Sequence, residues 1–72
     1  MDRKQKLYYR GRAARTQFEH AKRAGLACKA ALERHPDSEP LQRELKELRV
    51  AYTAAEAELD DAIKAWKEAK SA

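Results

Sequence analysis

Two heptad repeats, separated by one proline-containing turn, constrain this 72-residue chain more than any other feature. In each repeat, apolar or small residues recur at alternating spacings of four and three, which forms a continuous seam on one side of an α-helix. The first seam is Leu7, Gly11, Ala14, Phe18, Ala21, Gly25, Cys28 and Leu32. The second seam is Leu41, Leu45, Leu48, Tyr52, Ala55, Leu59, Ala62, Trp66 and Ala69. The pattern predicts two long helices that pack together through their seams.

The segment between the two seams, residues 35–40, has the composition of a turn. Pro36 disfavours the α conformation at His35 and ends the first helix there. Asp37 or Ser38 can cap the second helix, and Pro40 is tolerated in its first turn. We therefore expect one domain over residues 1–72, with helix 1 at about 3–34, a turn at 35–38 and helix 2 at about 38–70. The predicted fold is all-α, an antiparallel coiled-coil hairpin that assembles into a four-helix bundle.

Folding the chain at this turn pairs seam positions whose numbers sum to about 73, so that large residues face small ones. Gly25 then faces Leu48, and Phe18 faces Ala55. In this register the glycines are expected to permit close approach of the helices, and Gly25→Leu is expected to overpack the seam.

A chain of this size buries only about 60% of its unfolded surface and commonly needs a disulfide, a metal or a partner. Cys28 is the only cysteine, and its spacing from His20 and His35 is not that of a metal site. We therefore expect no cofactor or metal, and a homodimer or a larger protein partner. The absence of an apolar run of about 20 residues and the lone thiol favour a cytoplasmic protein without membrane contact.

Enzymatic activity is not expected, because the one candidate nucleophile, Cys28, lies in the predicted seam, where a thiol acts as a small apolar side chain. We accordingly expect no catalytic residue and no small-molecule substrate.

Residues 1–35 hold ten Lys and Arg against three acids, although the net charge of the whole chain is only +4. Basic residues are densest around Tyr8 and Tyr9, and such a segment can bind phosphates and stack on bases. The alternative is a solvated helix start that keeps the protein in solution. The candidate polyanion-binding residues are Arg3, Lys4, Lys6, Arg10, Arg12 and Arg15.

Two further groups of residues beside the seam are candidates for a protein interface. On one side we place the small residues, which allow a second helix to approach, although alanine is also the best helix former. On the opposite side, Tyr8 and Ile63 form a possible apolar patch. The first group is Ala24, Ala31, Ala51 and Ala65, with Leu26 next to them.

The sequence thus favours a small non-enzymatic protein–protein interaction module, of the regulator, adaptor or chaperone type. The alternative is a nucleic-acid-binding hairpin that uses the basic half of helix 1. One continuous basic stripe on the closed hairpin would favour nucleic acid, and scattered basic residues would favour a protein partner.

Two partial resemblances accompany this interpretation. The positions of Ala24, Ala31 and Pro36 resemble the end of a tetratricopeptide repeat, but Arg12 and Arg15 occupy the glycine and tyrosine places of that pattern. A single repeat of that kind is not stable alone. In architecture the hairpin also resembles plasmid copy-control RNA-binding proteins that dimerise into four-helix bundles.

Overall fold

The chain folds into two α-helices, α1 (Arg3–Arg34) and α2 (Glu39–Ser71), in a computed structural model that describes residues 2–71. The helices lie antiparallel and contact each other along a rod of 53 × 15 × 14 Å. The prediction of an all-α helical hairpin is confirmed. The start and the end of α2 each differ by one residue from the expected 38 and 70.

Side-chain and backbone hydrogen bonds define both helix starts and the turn. The Asp2 carboxylate accepts a hydrogen bond from the backbone N–H of Gln5 at 2.8 Å and caps α1. Ser38, one of the two candidate caps, immediately precedes α2, and its hydroxyl oxygen accepts from the N–H of Leu41 at 3.4 Å. The side-chain amide of Gln42 donates a hydrogen bond to the Pro36 carbonyl at 2.9 Å, which connects the turn to the start of α2.

The core of the hairpin is thin. Every residue of the two predicted seams is buried or half-buried, so the heptad pattern identified the packed face correctly. Within residues 2–71, however, only Ala14, Ala21, Cys28 and Ala62 are fully buried, and no large side chain is. Leucine and aromatic residues of the seam keep one edge exposed, because a pair of helices encloses only side chains that are short.

The cross-helix contacts depart from strict large-against-small matching. The Phe18 and Tyr52 rings pack with their centroids 5.0 Å apart, although Phe18 was expected to face Ala55. The partner of Phe18 therefore lies one seam position closer to the turn than the simple register places it. Cys28 likewise donates its S–H to the carbonyl of Leu41 at 3.4 Å, whereas the simple register placed it opposite Leu45.

The expectation that the glycines permit close helix approach is wrong. A Cβ atom built on Gly11 or Gly25 would have no other atom within 4 Å apart from its local backbone. Both glycines line open grooves at the edge of the seam. The reason is that a two-helix rod has no third element to cover that edge. A side chain at position 25 would therefore extend into the groove instead of overpacking against Leu48.

The rod exposes more surface than a folded protein of its size normally does. Its accessible surface is 5964 Å². A monomeric protein of 8.3 kDa is expected to expose about 4,600 Å². The radius of gyration, 16.1 Å, similarly exceeds the roughly 11 Å of a compact domain of this length. The hairpin therefore has a large excess of accessible surface.

Candidate functional site

A neutral groove runs along one side of the seam, between α1 and α2. Its lining contains no Lys, Arg, Asp or Glu side chain, and it consists largely of alanine. Of the four alanines expected on this side, Ala24, Ala31 and Ala65 are half-buried and Ala51 is exposed. The lining residues are Thr16, Gln17, His20, Ala21, Ala24, Leu48, Ala51, Ala54 and Ala55.

We call this side of the hairpin the alanine flank, and helical periodicity extends it to both ends of the rod, since residues seven apart share a face. Its members on α1 are Arg3, Lys6, Arg10, Ala13, Gln17, His20, Ala24, Ala27, Ala31 and Arg34. Its members on α2 are Glu44, Glu47, Ala51, Ala54, Glu58, Asp61, Ala65 and Glu68. The charges are sorted by helix, because α1 contributes only Lys and Arg to this flank and α2 contributes only Asp and Glu.

Arg10 connects the two helices on the alanine flank. Its Nε donates to Glu58 Oε1 at 2.8 Å, and its Nη2 lies 3.5 Å from Asp61 Oδ2. The hydrogen bond and the charge of Glu58 raise the pKa of Arg10. Conversely, the hydrogen bond from Arg10 lowers the pKa of Glu58. These are the two ion pairs within residues 2–71, so Arg10, a candidate for polyanion binding, is already engaged inside the hairpin.

Leu26 does not lie on the alanine flank, where the sequence analysis placed it. It lines a groove on the opposite side of the hairpin, together with Gly25 and Lys29. The physical reason is the helical rotation of about 100° per residue, which turns Leu26 by about 200° from Ala24. Its side chain is 59% exposed.

We call the opposite side the basic flank, and its first groove lies near the chain termini. The predicted pair Tyr8 and Ile63 is found here, with exposures of 49% and 40%. The Tyr8 ring lies 6.0 Å from the Trp66 ring and 6.0 Å from the guanidinium carbon of Arg12. The lining residues are Leu7, Tyr8, Gly11, Arg12, Arg15, Leu59, Ala62, Ile63 and Trp66.

The second groove of the basic flank lies near the middle and the turn end of the rod. Lys22 and Lys29 of α1 face Arg49 of α2 across an apolar floor. Among the described residues, no Asp or Glu lines this groove or the first one. The lining residues are Ala21, Lys22, Gly25, Leu26, Lys29, Leu45, Leu48, Arg49, Tyr52 and Thr53.

The six candidate polyanion-binding residues do not form one surface. Arg12 and Arg15 line the basic flank, whereas Arg3, Lys6 and Arg10 belong to the alanine flank. Lys4 lies at a helical spacing of three before Leu7 and so continues the line of the seam. The register in which paired positions sum to about 73 brings Arg15 near Glu56, but no ion pair joins them in the described part of the chain.

Sequence reasoning missed Lys22, Lys29 and Arg49 as members of a surface. A signal was available, because Arg15, Lys22 and Lys29 recur at intervals of seven and must share one face of α1.

Features that could support other chemistry are few in the described part of the chain. Cys28 is buried, and desolvation, followed by the charge of Glu44, raises the pKa of its thiol, which makes it a poor nucleophile. Within residues 2–71, no group of three or more His, Cys, Asp and Glu side chains is arranged to hold a metal ion. Neither of the described helices combines the length and apolarity needed to cross a membrane.

Comparisons with known proteins do not place this hairpin in a family. No protein-family model, no curated protein and no solved structure matches the chain significantly.

Proposed function

We propose that the chain is a small, non-enzymatic protein-interaction module that pairs with a second copy of itself through the alanine flank. The observation that carries this proposal is the sorting of charges on that flank, basic on α1 and acidic on α2. A surface built in this way is complementary to itself.

The orientation of the two copies follows from the charges. A twofold axis parallel to the rod sets α1 of one copy against α2 of the other. Arg3 and Lys6 then face the partner's Asp61 and Glu68, and every neighbouring pair of helices is antiparallel, as in a four-helix bundle. A twofold axis across the rod would instead set α1 against α1, with like charges opposed.

The exposed area supports the same proposal. The hairpin exposes 5964 Å², about 1,400 Å² more than a typical monomer of its mass. A standard stable interface removes about 800 Å² from each partner. Covering one flank of the rod with an interface of this size would therefore remove more than half of the excess surface.

Small side chains on the alanine flank allow the second pair of helices to approach closely. Helices pack at interaxial distances of about 8–10 Å, and the short distances require small residues at the contact. The half-buried seam residue Leu48, which lines the neutral groove, would then be covered from that side.

Sedimentation equilibrium at micromolar concentration tests the proposal. The double variant Ala24→Arg, Ala51→Arg places two large charged side chains in the proposed interface and is expected to be monomeric. The matched control Ala30→Arg, Ala57→Arg adds the same charge at exposed positions on the outer faces of the helices and should remain dimeric, like the parent. A parent chain that is monomeric, or a double variant as dimeric as the control, would contradict it.

A further inference from the structure

We infer that the basic flank is a docking groove for an acidic amphipathic helix of a partner protein. This flank lies opposite the alanine flank, so it stays accessible whether or not two copies associate. The inference therefore does not rest on self-association.

The chemistry of the groove combines an apolar floor with a cationic rim. Leu45 and Leu48 form the floor of the second groove, and Lys22, Lys29 and Arg49 border it. Helix-in-groove recognition uses this combination, in which apolar residues of the incoming helix enter the groove and charges along its edges pair with the rim.

The hairpin does not neutralise this rim itself. Within residues 2–71 both ion pairs belong to Arg10, on the other flank. Five cations and no Asp or Glu of the described residues line the two grooves of the basic flank. Mutual repulsion of Lys22 and Arg49 is unfavourable in the free hairpin, and carboxylates of an incoming helix would relieve it.

Apolar exposure distinguishes an acidic helix from a nucleic acid as the occupant. Leu26 is 59% exposed, and Ile63 is 40% exposed. Phosphate backbones gain nothing from such side chains, whereas the apolar face of a helix buries them.

One glycine lies in each groove of the basic flank, Gly11 in the first and Gly25 in the second. The distance between them sets the spacing expected between the large apolar residues of an incoming helix. Each glycine leaves open space where a side chain would otherwise stand. Gly11 and Gly25 are fourteen residues apart in the sequence, which is about 21 Å along a helix. A helix of roughly five turns is long enough to place one large apolar residue at each of these gaps.

A library of displayed helical peptides, about twenty residues long, provides the test. Leucine is fixed along one face of each peptide, and the flanking positions are randomised among Glu, Gln and Lys. Selection on the intact protein is expected to enrich Glu at the flanking positions. Equal recovery of the three residues, or enrichment of Lys, would overturn the inference.

Variants locate the site. The triple variant Lys22→Glu, Lys29→Glu, Arg49→Glu should weaken binding of the selected acidic peptides at least tenfold, without changing the helical circular dichroism. Its control makes the same charge change on the outer faces with Arg23→Glu, Arg43→Glu and Lys64→Glu, and should bind within about threefold of the parent. The uncharged substitution Gly25→Leu, which fills one gap, should also weaken binding. Equal losses in the triple variant and its control would overturn the assignment of the site.

A binding measurement with a nucleic acid distinguishes an acidic helix from the competing occupant. Fluorescence anisotropy with a 20-base-pair duplex, at the same salt concentration, is expected to give weaker binding than the selected peptides give. Tighter binding of the duplex, lost in the triple variant, would assign the flank to phosphates and overturn the proposal of an acidic helix.

Discussion

The two flanks of the hairpin share one seam but treat their charges in opposite ways. On the alanine flank, positive charge lies on α1 and negative charge on α2, and Arg10 already bridges the helices to Glu58 and Asp61. On the basic flank, cations of both helices border the same groove, and Lys22 faces Arg49 without an acid between them. Opposite charges are thus sorted between the helices on the alanine flank, whereas the described charged residues that line the grooves of the basic flank are all cations.

The two flanks of one thin scaffold therefore differ in charge and in the residues that line their grooves. The grooves on both flanks are open, and within residues 2–71 no large side chain is completely buried. The seam residues do not distinguish the two flanks, since Ala21 and Leu48 line a groove on each of them. In the two proposals, the residues at the edges of the seam would determine which partner each groove accepts.

The largest expected effect comes from a residue common to both flanks. Leu48→Ala should lower the free energy of unfolding by about 2 kcal/mol, because a half-buried leucine under both grooves is lost. Leu26→Ala, at an exposed site on the basic flank alone, should change it by less than about 0.5 kcal/mol. Urea denaturation at one protein concentration measures the free energy of unfolding of both variants. Equal losses in the two would contradict the claim that Leu48 belongs to a seam shared by both flanks.

A smaller effect of opposite sign is expected at the open edge of the basic flank. Gly25→Ala should stabilise the protein by about 1 kcal/mol, since alanine is the better helix former and its Cβ meets no other atom there. The control Ala30→Gly, on the exposed outer face of α1, should destabilise the protein by a similar amount, because it changes helix propensity in the opposite direction. Thermal denaturation that shows Gly25→Ala to be destabilising would mean that the helices are closer on this flank than the structure has them.

The smallest expected effect distinguishes the flanks by pH. Arg10 lowers the pKa of Glu58 in the folded state, so this pair contributes stability above the ordinary carboxyl pKa of 4.5, and the contribution is lost as the pH falls below it. Arg10→Gln should therefore lose less stability than the parent between pH 7 and pH 3 in urea titrations. Arg15→Gln, on the basic flank, should retain the acid sensitivity of the parent. If the stability of the two variants depended on pH in the same way, the claim that Arg10 forms a stabilising ion pair and Arg15 does not would be contradicted.

The hairpin was predictable from the sequence because apolar residues in a seven-residue repeat lie on one face of a helix and so identify its packed side. Sequence reasoning predicted the alanine surface for the same reason, but misplaced Leu26, whose position depends on helical rotation more than on nearness in sequence. The role of the glycines was not predictable from the repeat. Whether Gly25 permits close packing or leaves a gap depends on what covers the seam edge, and no local pattern encodes that. Charge density near the N-terminus drew attention to Arg10, although its partners lie 48 and 51 residues away in the sequence.

Mixing two charge-reversed chains tests the central claim, that the alanine flank is complementary to itself, most directly. One chain carries acids in place of its basic residues on α1, and the other carries lysines in place of its acids on α2. The substitutions are Arg3→Glu, Lys6→Glu and Arg34→Glu in the first chain, and Glu44→Lys, Glu47→Lys and Glu68→Lys in the second.

In sedimentation equilibrium, each charge-reversed chain alone should remain a monomer near 8.3 kDa, because like charges then oppose each other across the twofold axis. An equimolar mixture should form a heterodimer of twice that mass, because α1 of each chain again faces an oppositely charged α2. Chains that dimerise alone as well as the parent does, or a mixture that stays monomeric, would contradict the account.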